Sequence, residues 1–225
     1  FSHFYFTSPR HLVPGHGMPG DISIYSLGEG ELNYVAPGSI LSLYRAKVSS
    51  DGNVLVFRSN HETYTRLTAD EQADECKGFV VDTTAPDCRA LFRYEDSTNS
   101  LECLSCLPGG VTTNSVGETN AAAALSEDGE TVAFVTPERL LPEDINNAED
   151  VYEWRNGALQ LITDGETAYT STGIGTTPRV YGMDPSGENI FFTVVQPGLT
   201  GYEQDRVANL YDARIGGGFP RPTET

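Results

Sequence analysis

Four cysteines are the most reactive side chains in the chain: Cys76, Cys88, Cys103 and Cys106. A four-thiolate zinc site needs two short pairs, typically two C-x-x-C units. Only CLSC, from Cys103 to Cys106, has that spacing. Disulfides suit the pattern better in an exported protein. Cys76–Cys88 together with Cys103–Cys106 is the favoured pairing. A hairpin that sets Phe92 opposite Cys103 would bring Cys88 close to Cys106 and gives a rival. A redox role for CLSC would need a helix N-terminus or a cation beside the thiol, and the segment reads as strand.

Oxygen ligands come next. PEDINNAED holds Asp144, Asn146 and Asp150 in a loop, a donor set that a hard cation such as Ca²⁺ prefers. It lacks the glycine and terminal glutamate of an EF-hand loop. Ser23 and Asn209 stand where the other repeats would need Asp150. The competing reading is side-chain hydrogen bonding that shapes a turn before a strand. His11 and His16 share the loop HLVPGHGMPGD and could line one face of the molecule; His3 and His61 add no metal-ligand spacing. TGIGTT and RIGGGF match no phosphate loop. No nucleophile elbow, paired carboxylates or Ser-His-Asp arrangement can be pointed to, so the chain reads as non-enzymatic, with no cofactor beyond that Ca²⁺ option.

These residues are positioned by a repeat. SSDGNVLVFRS, SEDGETVAFVT and DPSGENIFFTV align without gaps from Ser49, Ser126 and Asp184. Each places glycine fourth (Gly52, Gly129, Gly187) and an aromatic ninth (Phe57, Phe134, Phe192). Glycine there predicts a two-residue hairpin turn with positive φ. FYFTS gives another copy, with Phe6 in the aromatic slot. A second aromatic strand follows at a near-constant distance: ISIY, DVYEW and NLYDA. ALFRY follows later, after an insertion from Asn60 that carries Glu62, Tyr64, Cys76 and Cys88. Tight turns such as Asn156-Gly157 then lead into a further strand.

The unit is thus four antiparallel strands, the blade of a β-propeller. Consecutive apolar positions in TVAFVT and IFFTVV fit blades covered on both faces. The fold class is all-β, with about three and a half to four blades: repeats roughly over 1–38, 39–110, 111–168 and 169–219, then the start of a linker at 220–225. Three and a half blades read as the C-terminal arc of a larger propeller. The opening at Phe1, inside a strand, reads as a fragment or a processed product.

Composition narrows the partners. The formal charge is −18, from 32 acidic and 14 basic side chains. Such a surface repels phosphate backbones and argues against nucleic acid. No apolar run approaches the roughly 20 residues of a membrane span.

SEDG before VAF, LLPEDINNAEDVY, and GALQLIT resemble the TolB-like, WD-repeat-like propellers of bacteria. IFFTV followed by NLYDARIGGGFP resembles a terminal blade of secreted or envelope-associated members. No WD dipeptide is present. The resemblance implies a secreted, periplasmic or cell-surface scaffold that binds a protein or an envelope component. Some members of that family are fused to peptidases, so an accessory domain of a larger hydrolase is the alternative. On the scaffold reading the binding face is the loops between second and third strands, with His11, His16, Glu62, Tyr64, Asp144 and Asn146 as candidate contacts.

Overall fold

The computed structural model describes residues 3–17, 21–38, 43, 45–59, 90–107, 123–169, 178–195, 199 and 208–217. Glu62, Tyr64, Cys76, Cys88, the rest of the insertion and the expected linker lie outside them. The described residues are all-β and form a partial β-propeller.

Sheet 1 holds β1 (His3–Ser8), β2 (Ser23–Gly28) and β3 (Glu31–Pro37). Sheet 2 holds β4 (Lys47–Val48), β5 (Val54–Ser59), β6 (Ala90–Glu95) and β7 (Ser100–Cys103). Sheet 3 holds β8 (Ala124–Leu125), β9 (Thr131–Thr136), β10 (Asp150–Arg155) and β11 (Ala158–Leu161). Sheet 4 holds β12 (Arg179–Met183), β13 (Asn189–Val194) and β14 (Asn209–Arg214). Every pairing is antiparallel between neighbours in the chain. The strand count per sheet is three, four, four and three, as the repeat predicts.

Register carries the repeat into space. The aromatic pairs sit directly opposite one another: Phe6 and Tyr25, Phe57 and Phe92, Phe134 and Tyr152, Phe192 and Tyr211. Their rings stack at 5.5–6.0 Å. Strand side chains alternate between faces, so each sheet has one face bearing the aromatic pair and one opposite face. Three seams result. Leu55, Phe57, Phe92 and Tyr94 pack on Ile24 and Ala36. Phe134, Tyr152 and Trp154 pack on Val54, Val56 and Leu91. Ile190, Phe192 and Val194 pack on Ala133, Val135 and Val151. The aromatic face of each sheet therefore looks back toward the sheet before it.

One expectation is corrected. The S-x-D-G turns are not two-residue hairpins. Ser49 bonds Val54 through N–H to carbonyl at 2.9 Å, and the Gly52 N–H reaches the Ser49 carbonyl, so residues 50–53 form a four-residue loop. Ser126 and Thr131, and Asp184 and Asn189, repeat it. The reason lies in the motif's first residue. The Ser49 hydroxyl accepts from the Val54 N–H at 2.9 Å and donates to Asp51, whose Oδ1 also accepts from the Asn53 N–H. A short polar side chain that bonds its local backbone favours this longer turn. Glycine is still required at positive φ: 84° at Gly52, 78° at Gly129 and 71° at Gly187.

Candidate binding surface

The sheets present two rims. The S-x-D-G turns and the tight turns after β2, β6 and β10 lie at one end of the stack, the turn rim. β1, β5, β9 and β13 end, and β2, β6, β10 and β14 begin, at the opposite end, the loop rim, where the described residues of 9–17 and 137–149 lie.

Asp144 and Asp150, in the described part of the loop rim, are tied into the loop itself. Asp144 is fully buried, and its Oδ2 accepts the Tyr152 hydroxyl. Burial, then the bond to Asp144, pushes that phenol above its ordinary range. The Asp144 carbonyl takes the Arg139 Nε–H at 2.6 Å. Asn146 donates to Asp150 Oδ2 at 2.8 Å and to the Thr167 carbonyl at 3.0 Å, while its Oδ1 accepts from the Ala148 N–H. Asp150 Oδ1 accepts from the Thr163 hydroxyl. Burial raises the Asp150 carboxyl, against the pull of the Thr163 and Asn146 bonds. The structure thus brings Asn146 and Asp150 together, with an amide nitrogen facing the carboxylate. Among the described residues no group of three or more His, Cys, Asp or Glu stands at metal-binding distances.

His11 and His16 are exposed on the connection between β1 and β2. His16 stacks on Tyr34 at 5.0 Å. Tyr25 anchors the same connection, its hydroxyl donating to the Arg10 carbonyl at 2.9 Å and accepting from the Leu12 N–H. Tyr152 holds Leu140 in the corresponding way in sheet 3. In sheets 1 and 3 the second aromatic thus pins the start of the loop above it. Cys103 and Cys106 lie at disulfide distance, with Cα atoms 5.6 Å apart.

The turn rim carries residues that motif reading missed. Arg93 on β6 is buried; its Nε–H reaches the Gly129 carbonyl at 3.0 Å, and its guanidinium pairs with Glu95 and Glu130. The same group lies 4.9 Å from the Trp154 ring centre, and the indole N–H donates to Glu102. Arg155 on β10 makes the equivalent reach to the Gly187 carbonyl and pairs with Glu153. Each arginine fastens one sheet to the turn glycine of the next. At the first seam a phenol does this work: the Tyr5 hydroxyl donates to the Gly52 carbonyl at 2.8 Å.

Ser26 and Gly28 occupy the register positions that hold Arg93 and Glu95 in sheet 2. An open cavity of about 730 Å³ lies there, lined by His3, Glu29, Glu31, Asp51, Asp96 and neighbours. His3 Nε2 is 3.3 Å from Asp96 Oδ2. Asp96 Oδ1 accepts from the Ser26 and Tyr94 hydroxyls and from Asn33. Burial chiefly, with Asp96 adding, pushes the Tyr94 phenol up to about 12. A sequence signal for these latches existed. Arg93-x-Glu95, Glu153-x-Arg155 and Asp212-x-Arg214 each set an acid and an arginine two apart on the third strand of a repeat.

No family model matches the chain, and no curated protein does. Solved structures do resemble it. TolB from Acinetobacter baumannii is 14% identical, covering 88% of this chain and 36% of its own, with a TM-score of 0.42. The β-propeller domain of the trilobed protease from Pyrococcus furiosus is 14% identical, covering 96% of this chain and 47% of its own, also at 0.42. The acylaminoacyl peptidase from Pyrococcus horikoshii is 10% identical, covering 85% and 27%, at 0.39. The chain spans less than half the length of each. No helix among the described residues is long and apolar enough to cross a membrane.

Proposed function

We propose that the chain is a non-enzymatic propeller scaffold that holds a protein or cell-envelope component against its loop rim. One observation carries this reading. Connections that differ in sequence and length leave one rim of a stack whose sheets are locked together by repeated turns and latches. Loops held by a rigid frame are where recognition concentrates. Ile145, exposed in the 137–149 loop, and His16, stacked on Tyr34, are described contacts such a partner would meet. The Cys103–Cys106 pair supports an oxidising compartment, hence a secreted, periplasmic or surface location.

The test is cross-linked capture from envelope extract with the full chain as bait. Ile145→Asp and a deletion of residues 62–86 serve as two loop-rim controls. A partner held by the intact chain and lost with either control is the expected result. Equal capture by all three baits would sink the loop-rim assignment. Saturable turnover of a peptide or ester panel by the purified chain would overturn the non-enzymatic reading and favour the hydrolase alternative.

A further inference from the structure

Two of the internal seams bring a guanidinium to the carbonyl of a turn glycine, with a carboxylate beside it: Arg93 at Gly129 and Arg155 at Gly187. Arg93 stands opposite Val56, and Arg155 opposite Thr131. The seam between sheets 1 and 2 has Ser26 and Gly28 at those two places, opposite Tyr5 and His3. The cavity of about 730 Å³ lies there, and no lysine or arginine is among the described residues that line it. Its walls are the hairpin after β2 on one side and the turns before β5 and after β6 on the other, so it belongs to an internal seam and to neither end of the stack.

The cavity presents acid. Glu29, Glu31, Asp51 and Asp96 line it, and His3 is the one basic group among the described lining residues. Asp96 makes it a built site. It is only 9% exposed, and its Oδ1 is fixed from both sheets by the Ser26 and Tyr94 hydroxyls and the Asn33 amide. Its Oδ2 faces His3, which is a cation only when protonated. Gly28 keeps the room open. It is not at positive φ, yet a β-carbon there would collide with Asp96 Oδ2 and the His3 ring. A buried carboxylate favours a cation that satisfies its oxygens. These acids do not suit a metal ion, since no three such ligands stand at metal-binding distances among the described residues. A planar cation with five N–H donors spans wider gaps, as Arg93 spans Glu95, Glu130 and the Gly129 carbonyl.

We propose that this cavity binds a guanidinium group carried by another molecule, with Asp96 as its fixed carboxylate and Glu29, Glu31 and Asp51 around it. The ligand class is chosen by the chain itself, which fills the corresponding place in its other two seams with arginine. The site lies on the turn rim, so it stands or falls independently of the partner proposed for the loop rim.

Nuclear magnetic resonance titration of the full chain tests this. The probes are Nα-acetyl-arginine methylamide and a capped Gly-Gly-Arg-Gly-Gly peptide, with their lysine counterparts as controls. Saturable shifts of the Gly28, Asn53 and Ser97 amides are expected, with arginine bound at least about tenfold more tightly than lysine and binding weakened as salt is raised. Asp96→Asn should weaken binding by about tenfold or more. Asp96 also ties Ser26 to Tyr94, so Glu31→Gln, a change at an exposed side chain, probes the same site without touching those bonds; about twofold to fivefold weaker binding is expected. Circular dichroism checks that both variants fold. Tighter binding of the peptide than of the capped amino acid would assign the guanidinium to an arginine side chain of a partner chain, and equal binding to a small guanidino compound; either supports the site. No saturable shift at the cavity with either arginine probe, lysine bound as tightly as arginine, or binding unchanged in both variants would overturn the proposal.

Discussion

The seam between sheets 2 and 3 and the seam between sheets 1 and 2 solve one packing problem with different chemistry. Both bury an aromatic pair and both press a turn glycine against the sheet before it. At the later seam the fastening is Arg93, a permanent cation held by two glutamates, a carbonyl and the Trp154 ring. At the earlier seam the fastening is Tyr5, with His3 and Asp96 facing each other over an open cavity. A filled junction is suited to holding two sheets fixed. An unfilled one of the same design leaves room at the same place. The difference teaches that the repeat specifies the packing of the seam and leaves its polar edge free to vary.

The largest effect expected from breaking that comparison is at the turn glycines. A β-carbon on Gly129 would lie 2.6 Å from Val54, a branched core side chain, and Gly129 already sits at positive φ. Gly129→Ala should cost roughly 2–4 kcal/mol in denaturant unfolding. At Gly52 the nearest atom is the His3 β-carbon at 3.0 Å, a looser contact that a shift of a few tenths of an ångström relieves. Gly52→Ala should cost roughly 1–2 kcal/mol. Equal losses would mean that the seams are equally tight.

Removing the fastenings comes next. Arg93→Ala strands two glutamates and a carbonyl and should cost roughly 2–3 kcal/mol. Tyr5→Phe keeps the ring and removes one hydrogen bond, so about 1 kcal/mol is expected. Chemical denaturation of both variants ranks the two latches; a larger loss for Tyr5→Phe would reverse the account of the first seam.

The smallest effect concerns pH. Bonds from Ser49 and Ser126, then from nearby backbone N–H groups, hold the Asp51 and Asp128 carboxyls below their ordinary value of 3.8. Folded-state values below unfolded ones add stability that is complete above about pH 4 and is lost as pH falls through the lowered values. Asp150, raised chiefly by burial, works in the opposite sense, since protonation eases its desolvation. Asp128→Asn should therefore flatten the acid side of a melting-temperature profile by a few degrees at most, and Asp150→Asn should steepen it. A steeper profile for Asp128→Asn would refute the turn assignment.

Most of the fold was legible in the sequence because its signals are local and repeated. Phe57, Phe134 and Phe192 fall at one spacing from a glycine, and three copies in phase leave little freedom in register. The turn length was misread because Gly52 and Asp51 resemble a two-residue hairpin until the Ser49 hydroxyl is placed. The latches were hidden for another reason. Arg93 aligns with Glu153, and Glu95 with Arg155, so the charges swap places between repeats and no single column shows an arginine. His3 and Asp96 meet only through contact between sheets, which spacing along the chain does not encode. The acidic loop was read as a possible cation site from its oxygens alone; its amide and hydroxyl donors became visible only with Thr163 and Thr167 folded beside it.

The turns have one more consequence, in time rather than in space. The Ser50 N–H bonds the Glu127 carbonyl, and the Glu127 N–H bonds the Pro185 carbonyl, each at 2.9 Å across a seam. These amides are shielded only while neighbouring sheets stay docked. Their hydrogen-exchange rates are clocks for the opening of single seams: Ser50 for sheets 2 and 3, Glu127 for sheets 3 and 4. In a stack where each unit touches only its neighbours, two such clocks running at different rates would mean that the arc opens one sheet at a time, and a common rate that it opens as a whole.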